Sequence, residues 1–138
     1  MKKYFLSSIA FLLAITTFAN DIPKAIQDAF TKKFPTAKSV KWDKENANEY
    51  EASFLLNGIK NSANYNVQGL LLETESEIKV TELPAAITSN IQKKYTNWKI
   101  VGAAKIEHLK NGIQFEADLQ KGKSKKEVLY TETGIFIK

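Results

Sequence analysis

Ile22-Pro23-Lys24-Ala25-Ile26 is followed, 61 residues later, by Leu83-Pro84-Ala85-Ala86-Ile87. Lys32-Lys33-Phe34 returns at the same distance as Lys93-Lys94-Tyr95. Farther along, the distance becomes 65: Tyr50-Glu51-Ala52-Ser53-Phe54 returns as Phe115-Glu116-Ala117-Asp118-Leu119, Tyr65 as Tyr130 and Gly69 as Gly134. Matches that keep their order across two constant spacings predict a duplication. The step from 61 to 65 places a four-residue insertion in the second copy, between its helix and its second strand.

Each copy reads as one helix and then strands. Ile22, Ala25, Ile26, Ala29, Phe30 and Phe34 recur at spacings of three and four, predicting a helix over 22–34 with one apolar face. Pro23 suits the first turn, where a missing N–H costs nothing; Asp21 suits the positive helix end, and Pro35 stops the helix. Leu83, Ala86, Ile87, Ile91 and Tyr95 form the matching stripe of the second copy, with Glu82 ahead of it. After each helix the period changes to two. Val40 and Trp42 alternate with Lys41 and Asp43, and both read as core. Tyr50, Ala52, Phe54 and Leu56 alternate with Glu51, Ser53 and Asn57. Asn57-Gly58 is a tight-turn signal leading into a strand over 59–65, and 70–80 reads as a long fourth strand. The second copy offers strands over 100–109, 113–120 and 125–131 and a short one over 135–138. The expected fold is α+β: a two-layer tandem repeat of a helix followed by an antiparallel four-strand meander, with the helices on one face of the sheet. The expected organisation is a first repeat over 20–80 and a second over 81–138, forming one compact domain.

Ahead of the repeats, Met1-Lys2-Lys3 and the apolar run from Phe5 to Phe18 end in Thr17-Phe18-Ala19. Charge, apolar core and small residues in that order predict a signal peptide over 1–19, cleaved near Ala19, with a core too short to span a membrane. The expected location is therefore periplasmic or secreted, with no stable membrane anchor after cleavage. The chain has no cysteine, which excludes disulfides, thiolate chemistry and a lipidated cysteine. Every basic residue is lysine, and without Lys2 and Lys3 there are 18 of them against 15 acids. Lysine lacks arginine's bidentate fork, so sequence-specific nucleic-acid recognition is poorly served, and no nucleic-acid partner is expected.

Few residues offer chemistry. His108 is the sole histidine, and with no cysteine or serine motif beside it no triad assembles, so it reads as a strand-end residue. Glu73, Glu75 and Glu77 share one strand face, but no loop of ligand spacing accompanies them. They read as a solvated face, and no metal, cofactor or catalytic residue is expected. Lys121 to Lys126 read as a basic hairpin turn, and Trp98 as a cap on the end of the core. Leu55 is the apolar exception on a face otherwise made of Glu51, Ser53 and Asn57, a modest sign of a contact surface.

The pattern Ile22-Pro23, Phe34-Pro35, Val40-Lys41-Trp42, Tyr50-Glu51-Ala52-Ser53-Phe54, Gly69 and Leu72-Glu73-Thr74-Glu75 resembles the PepSY-like family of small exported bacterial proteins, similar in fold to the β-lactamase inhibitory protein. The resemblance runs from Ile22 to Lys138. It implies helix-on-sheet units and an exported location, and it brings no catalytic residues. The second copy departs from the pattern: no Trp stands in its first strand, where Ile106 is nearest, and Thr96-Asn97 replaces the helix-ending Pro.

These readings converge on a non-enzymatic exported binding module. It would engage an envelope protein or peptide, in an inhibitory or chaperone-like manner, through Glu51, Ser53, Leu55, Glu116 and Asp118 on the open sheet face. The alternative is a binder of a small-molecule or anionic polymeric ligand in the cell envelope, through the lysine-rich turn or the glutamate strand.

Overall fold

The computed structural model describes residues 21–138; the predicted signal peptide and its cleavage point lie outside the described residues. Alternating side chains from Lys38 onward build β1 (Lys38–Asn46), β2 (Glu49–Leu56), β3 (Ile59–Asn66) and β4 (Leu71–Ile78). After a second helix come β5 (Lys99–His108), β6 (Gly112–Lys121) and β7 (Ser124–Thr131). The strands pair in chain order, all antiparallel, in one seven-stranded sheet. Among the described residues the α-helices are α1 (Lys24–Lys33) and α2 (Ala85–Lys94), so the fold is α+β.

Each helix starts just after a proline. Ile26 N–H donates to the Pro23 carbonyl at 2.9 Å, and Ile87 N–H to that of Pro84 at 2.9 Å. Around α1, Ile26 and Phe30 pack with Tyr50, Ala52 and Phe54 of β2 and Ala63 and Tyr65 of β3. Around α2, Ile87 and Ile91 pack with Ala103, Phe115, Ala117, Leu119, Val128 and Tyr130. Small alanines at the sheet centre let the helix approach closely, and the larger rings fill the margins. Phe30 is the hub of the first cluster. Its ring centroid lies 5.0 Å from Phe54, 5.2 Å from Trp42 and 5.4 Å from Phe34. Trp42 and Phe34 are half-buried against the first cluster, and Trp98 is half-buried against the second.

The structure corrects the sequence reading at three places. Val40 is exposed, because the β1–β2 register slips between Lys38 and Lys41, where Ser39 adopts φ +54°. A bulge there breaks the alternation that would have turned Val40 inward. The fourth strand ends at Ile78; Val80–Glu82 form a single 3-10 turn, held by the Lys79 N–H donating to Glu82 Oε2 at 2.8 Å. The segment 135–138 is not a strand. It follows the edge of β7 through one bridge, Tyr130 to Phe136, and bonds such as Ile137 N–H to the Leu129 carbonyl at 2.8 Å.

Phe30→Ala removes the ring on which four other aromatic residues converge. Urea denaturation of this variant should show a loss of about 3–5 kcal/mol. A loss below about 1 kcal/mol would mean that the site can collapse around the gap.

Candidate functional site: a carboxylate-lined sheet face

Strand alternation decides which residues stand opposite the core side chains. Glu51, Ser53 and Leu55 alternate with Tyr50, Ala52 and Phe54; Glu116 and Asp118 alternate with Phe115, Ala117 and Leu119. Register then carries these positions across the sheet in rows. One row joins Glu51 to Asn64, Glu73 and His108, and the next joins Ser53 to Ser62, Glu75, Ile106 and Gln114. Farther along, Leu55 faces Lys60, Glu77 pairs with Ala104 and Ala104 with Glu116, and Asp118 lies directly opposite Glu127. The five residues singled out from sequence therefore share one face, with three strands between their two groups.

That face is not evenly open. Glu51, Ser53, Leu55 and Asp118 are half-buried, but Glu116 is 6% exposed and Glu75 only 1%. Reading Glu73, Glu75 and Glu77 as one solvated strip is therefore wrong at its centre. Ser62 and Ile106, the ladder partners of Glu75, are buried beside it, as is Gln114. Both Glu75 carboxyl oxygens are buried without a hydrogen-bond partner. Beside them runs a groove of about 470 Å³ whose walls include Glu75, Glu77, Glu116, Asp118, Glu127 and Lys125.

Crowding acids together away from water favours their neutral forms. Burial, then the neighbouring Glu116, pushes the Glu75 carboxyl up to about 9. Burial, then Glu127, pushes Glu116 up to about 8. Burial, then Glu45, pushes Glu51 up to about 7. Glu73 and Asp118 are also raised by burial, against the opposing pull of His108 and Lys138 on Glu73 and of Lys125 on Asp118.

His108 is occupied locally. Its Nδ1 accepts from the backbone N–H of Lys110 at 3.0 Å and of Asn111 at 3.2 Å, so it closes the β5–β6 turn. The basic turn at Lys121 to Lys126 sends Lys126 toward the rings of Tyr95 and Trp98, with Nζ 5.1 and 6.0 Å from the centroids. Two residues escaped the sequence reading. Glu127 meets Asp118 across the β6–β7 hairpin, which counting outward from the two-residue turn Gly122-Lys123 would have revealed. Gly102 sits under Asp118, where a Cβ would stand 2.5 Å from Oδ2, so a larger residue there would make that carboxylate swing away. No residue pattern in the sequence announces that approach.

A family model described as "Putative beta-lactamase-inhibitor-like, PepSY-like" matches residues 15–60 and 49–138. The chain belongs to the PepSY-like family. Among solved structures it is similar to a BLIP-like protein from Bacteroides fragilis, with TM-score 0.68, 26% identity and 84% of each chain covered. A DUF2874 family protein from Bacteroides ovatus aligns with TM-score 0.72 and 24% identity, again over 84% of each chain. A protein described as a "putative periplasmic" one from Bacteroides eggerthii reaches TM-score 0.75 at 18% identity, covering 84% of this chain and 86% of that one. None of the curated proteins matches the chain. The PepSY-like resemblance read from the Ile22-Pro23 and Tyr50-Glu51-Ala52 patterns thus stands.

The raised carboxyls of this PepSY-like sheet set a pH dependence. Each binds its proton more tightly folded than unfolded, so its stabilising effect is full below about 4.5, the unfolded value. That effect is lost as pH climbs through the folded values of about 7 for Glu51, 8 for Glu116 and 9 for Glu75. Thermal melts should therefore show the midpoint falling between pH 5 and pH 9. Glu75→Gln should flatten the upper part of that fall. A wild-type midpoint that stays level to pH 9 would show that the acids are compensated within the fold.

Proposed function

We propose that the protein is a non-enzymatic, exported binding module that takes a cationic protein or peptide segment onto the carboxylate-lined sheet face. The observation that carries this reading is the convergence of Glu51, Glu73, Glu75, Glu116 and Asp118 on one face, all with carboxyls raised by burial. A cationic occupant supplies counter-charge that Lys125 and Lys138 provide only in part. Charge complementarity of this kind sets specificity and on-rate. Leu55, half-buried at the β2 end, gives the occupant an apolar contact beside the acids. The same acids make this face a poor seat for an anionic polymer. An inhibitory or chaperone-like role is in keeping with such a surface and with the BLIP-like relative.

Export is supported by the charged, apolar and small-residue order of residues 1–19, and by the periplasmic description of the eggerthii protein. The absence of catalysis is supported by the residue inventory: the one histidine closes a turn, and there is no cysteine. The architecture we propose beneath this function is a tandem of two helix-plus-meander units with both helices on one face of the sheet. Recurring local geometry supports it. Gly69 and Gly134 have φ +81° and +88°, and each lies against its own helix: a Cβ would stand 2.7 Å from the Ala25 carbonyl oxygen and 3.0 Å from Ala86 Cβ. Phe34 and Tyr95 end their helices alike, each N–H donating at 2.8 Å, to Phe30 and Ile91. Ala63, Thr74 and Glu107 form one ladder row, and Ile78, Ala103, Ala117 and Val128 another of the same parity.

Fluorescence anisotropy of a labelled decapeptide alternating lysine and leucine measures the docking directly. The wild type should bind it and ignore the glutamate counterpart. Leu55→Lys should weaken binding at least tenfold while keeping the melting midpoint within a few degrees. Equal binding of both peptides, or undiminished binding by a folded Leu55→Lys protein, would remove this face as the docking site.

A further inference from the structure

Asp118 and Glu127 stand directly opposite each other in the β6–β7 ladder, and Glu116 is two residues from Asp118 on the same side of β6. Like charges placed directly across a strand pair are destabilising. Yet one carboxylate oxygen from each of the three residues lies within 4.8 Å of the other two. Glycine at position 102 makes the room that lets Asp118 lie over β5. A fourth carboxyl lines the same groove: Glu75, 1% exposed, its two oxygens buried without a hydrogen-bond partner.

We propose that Glu116, Asp118 and Glu127, with Glu75 beside them, form a binding site for a hard divalent cation of calcium's size. A calcium ion holds its oxygens at about 2.3–2.6 Å, so two of them on opposite sides of the ion are about 4.6–5.2 Å apart. Three oxygens within 4.8 Å of one another fit round such an ion. Magnesium, at about 2.0–2.1 Å, needs a tighter and more regular set. Zinc's nitrogen and sulfur donors are not among the groove's lining residues. The cation gives the buried Glu75 carboxyl the partner it has not found within the fold, and water entering the groove completes the coordination. Lys125 lines the same groove and partly offsets Asp118; the cation would displace it outward along the exposed turn. The three ligands come from a hairpin whose strands are fixed by ladder pairing, so the site exists before the ion arrives.

This site differs from the Glu73, Glu75, Glu77 strip weighed from sequence, where a single strand spreads its glutamates too far apart. It shares Glu75, Glu116 and Asp118 with the proposed peptide face, but calcium titration and the loss of peptide binding in Leu55→Lys are separate readouts, so either proposal can fail alone. The test is isothermal titration of calcium chloride, then of magnesium chloride, into chelator-treated protein at pH 8.5, paired with thermal melts. The wild type should bind one calcium, with its midpoint raised by several degrees and a weaker response to magnesium. Asp118→Asn with Glu127→Gln should abolish both signals. Glu75→Gln alone should weaken calcium binding at least tenfold. The wild-type titration involves no variant, so failure of a variant to fold leaves the proposal testable. No heat and no shift with the wild type up to 10 mM calcium would overturn it, and so would a calcium response that survives the double substitution in a folded protein.

Discussion

The two-residue period of a β-strand is the constraint on which this structure turns. Packing Phe30 against Phe54 and Tyr65 fixes the parity of β2 and β3, and packing Ile87 and Ile91 against Ala117 and Val128 fixes that of β6 and β7. Once those parities are set, Glu51, Glu75, Glu116 and Asp118 have no freedom to choose a side. Ladder register then decides which acids become neighbours. The acidic face is thus the geometric counterpart of the core, made by the same pairing.

Such a face opposes folding. A buried carboxyl without a hydrogen bond is costly, and so are like charges across a ladder. The two apolar clusters offset that cost, each built on a helix with two fully buried or nearly buried anchor residues. A substitution of Glu75 to glutamine or leucine would remove much of this cost and stabilise the fold. Proteins keep local conflicts of this kind at functional sites. A cation or a lysine-bearing segment turns the conflict into affinity, since Glu75 and Glu116 are already buried before the ligand arrives.

Much of this was legible from residues. The helices at Lys24–Lys33 and Ala85–Lys94 lie inside the predicted stripes, and each of the seven strands falls on a stretch read as a strand, although the alternation expected in β1 fails at Val40. The sharing of a face by Glu51, Ser53, Leu55, Glu116 and Asp118 was legible too, because alternation is local. What escaped was non-local. The slip at Ser39 that exposes Val40 depends on pairing with β2, and the edge-following path of residues 135–138 depends on β7. The burial of Glu75 depends on strands β3, β5 and β6 closing round it, which a one-dimensional pattern of alternating glutamates does not encode. Ile106 illustrates the same limit: sequence sets it nearest to the missing Trp, but register turns it to the acidic face opposite Glu75.

Family membership accounts for the fold and leaves the acidic groove to be explained by this chain's own residues. At the centre of that explanation is a glutamate held neutral at physiological pH by its surroundings. Carbon-13 NMR of the glutamate side-chain carboxyls, followed from pH 4 to pH 10 with Glu75→Gln for assignment, measures this directly. The account predicts that the Glu75 carboxyl titrates near 9, far above the ordinary 4.5. A Glu75 titration close to 4.5 in the folded protein would contradict it, because the carboxylate would then be solvated or already paired.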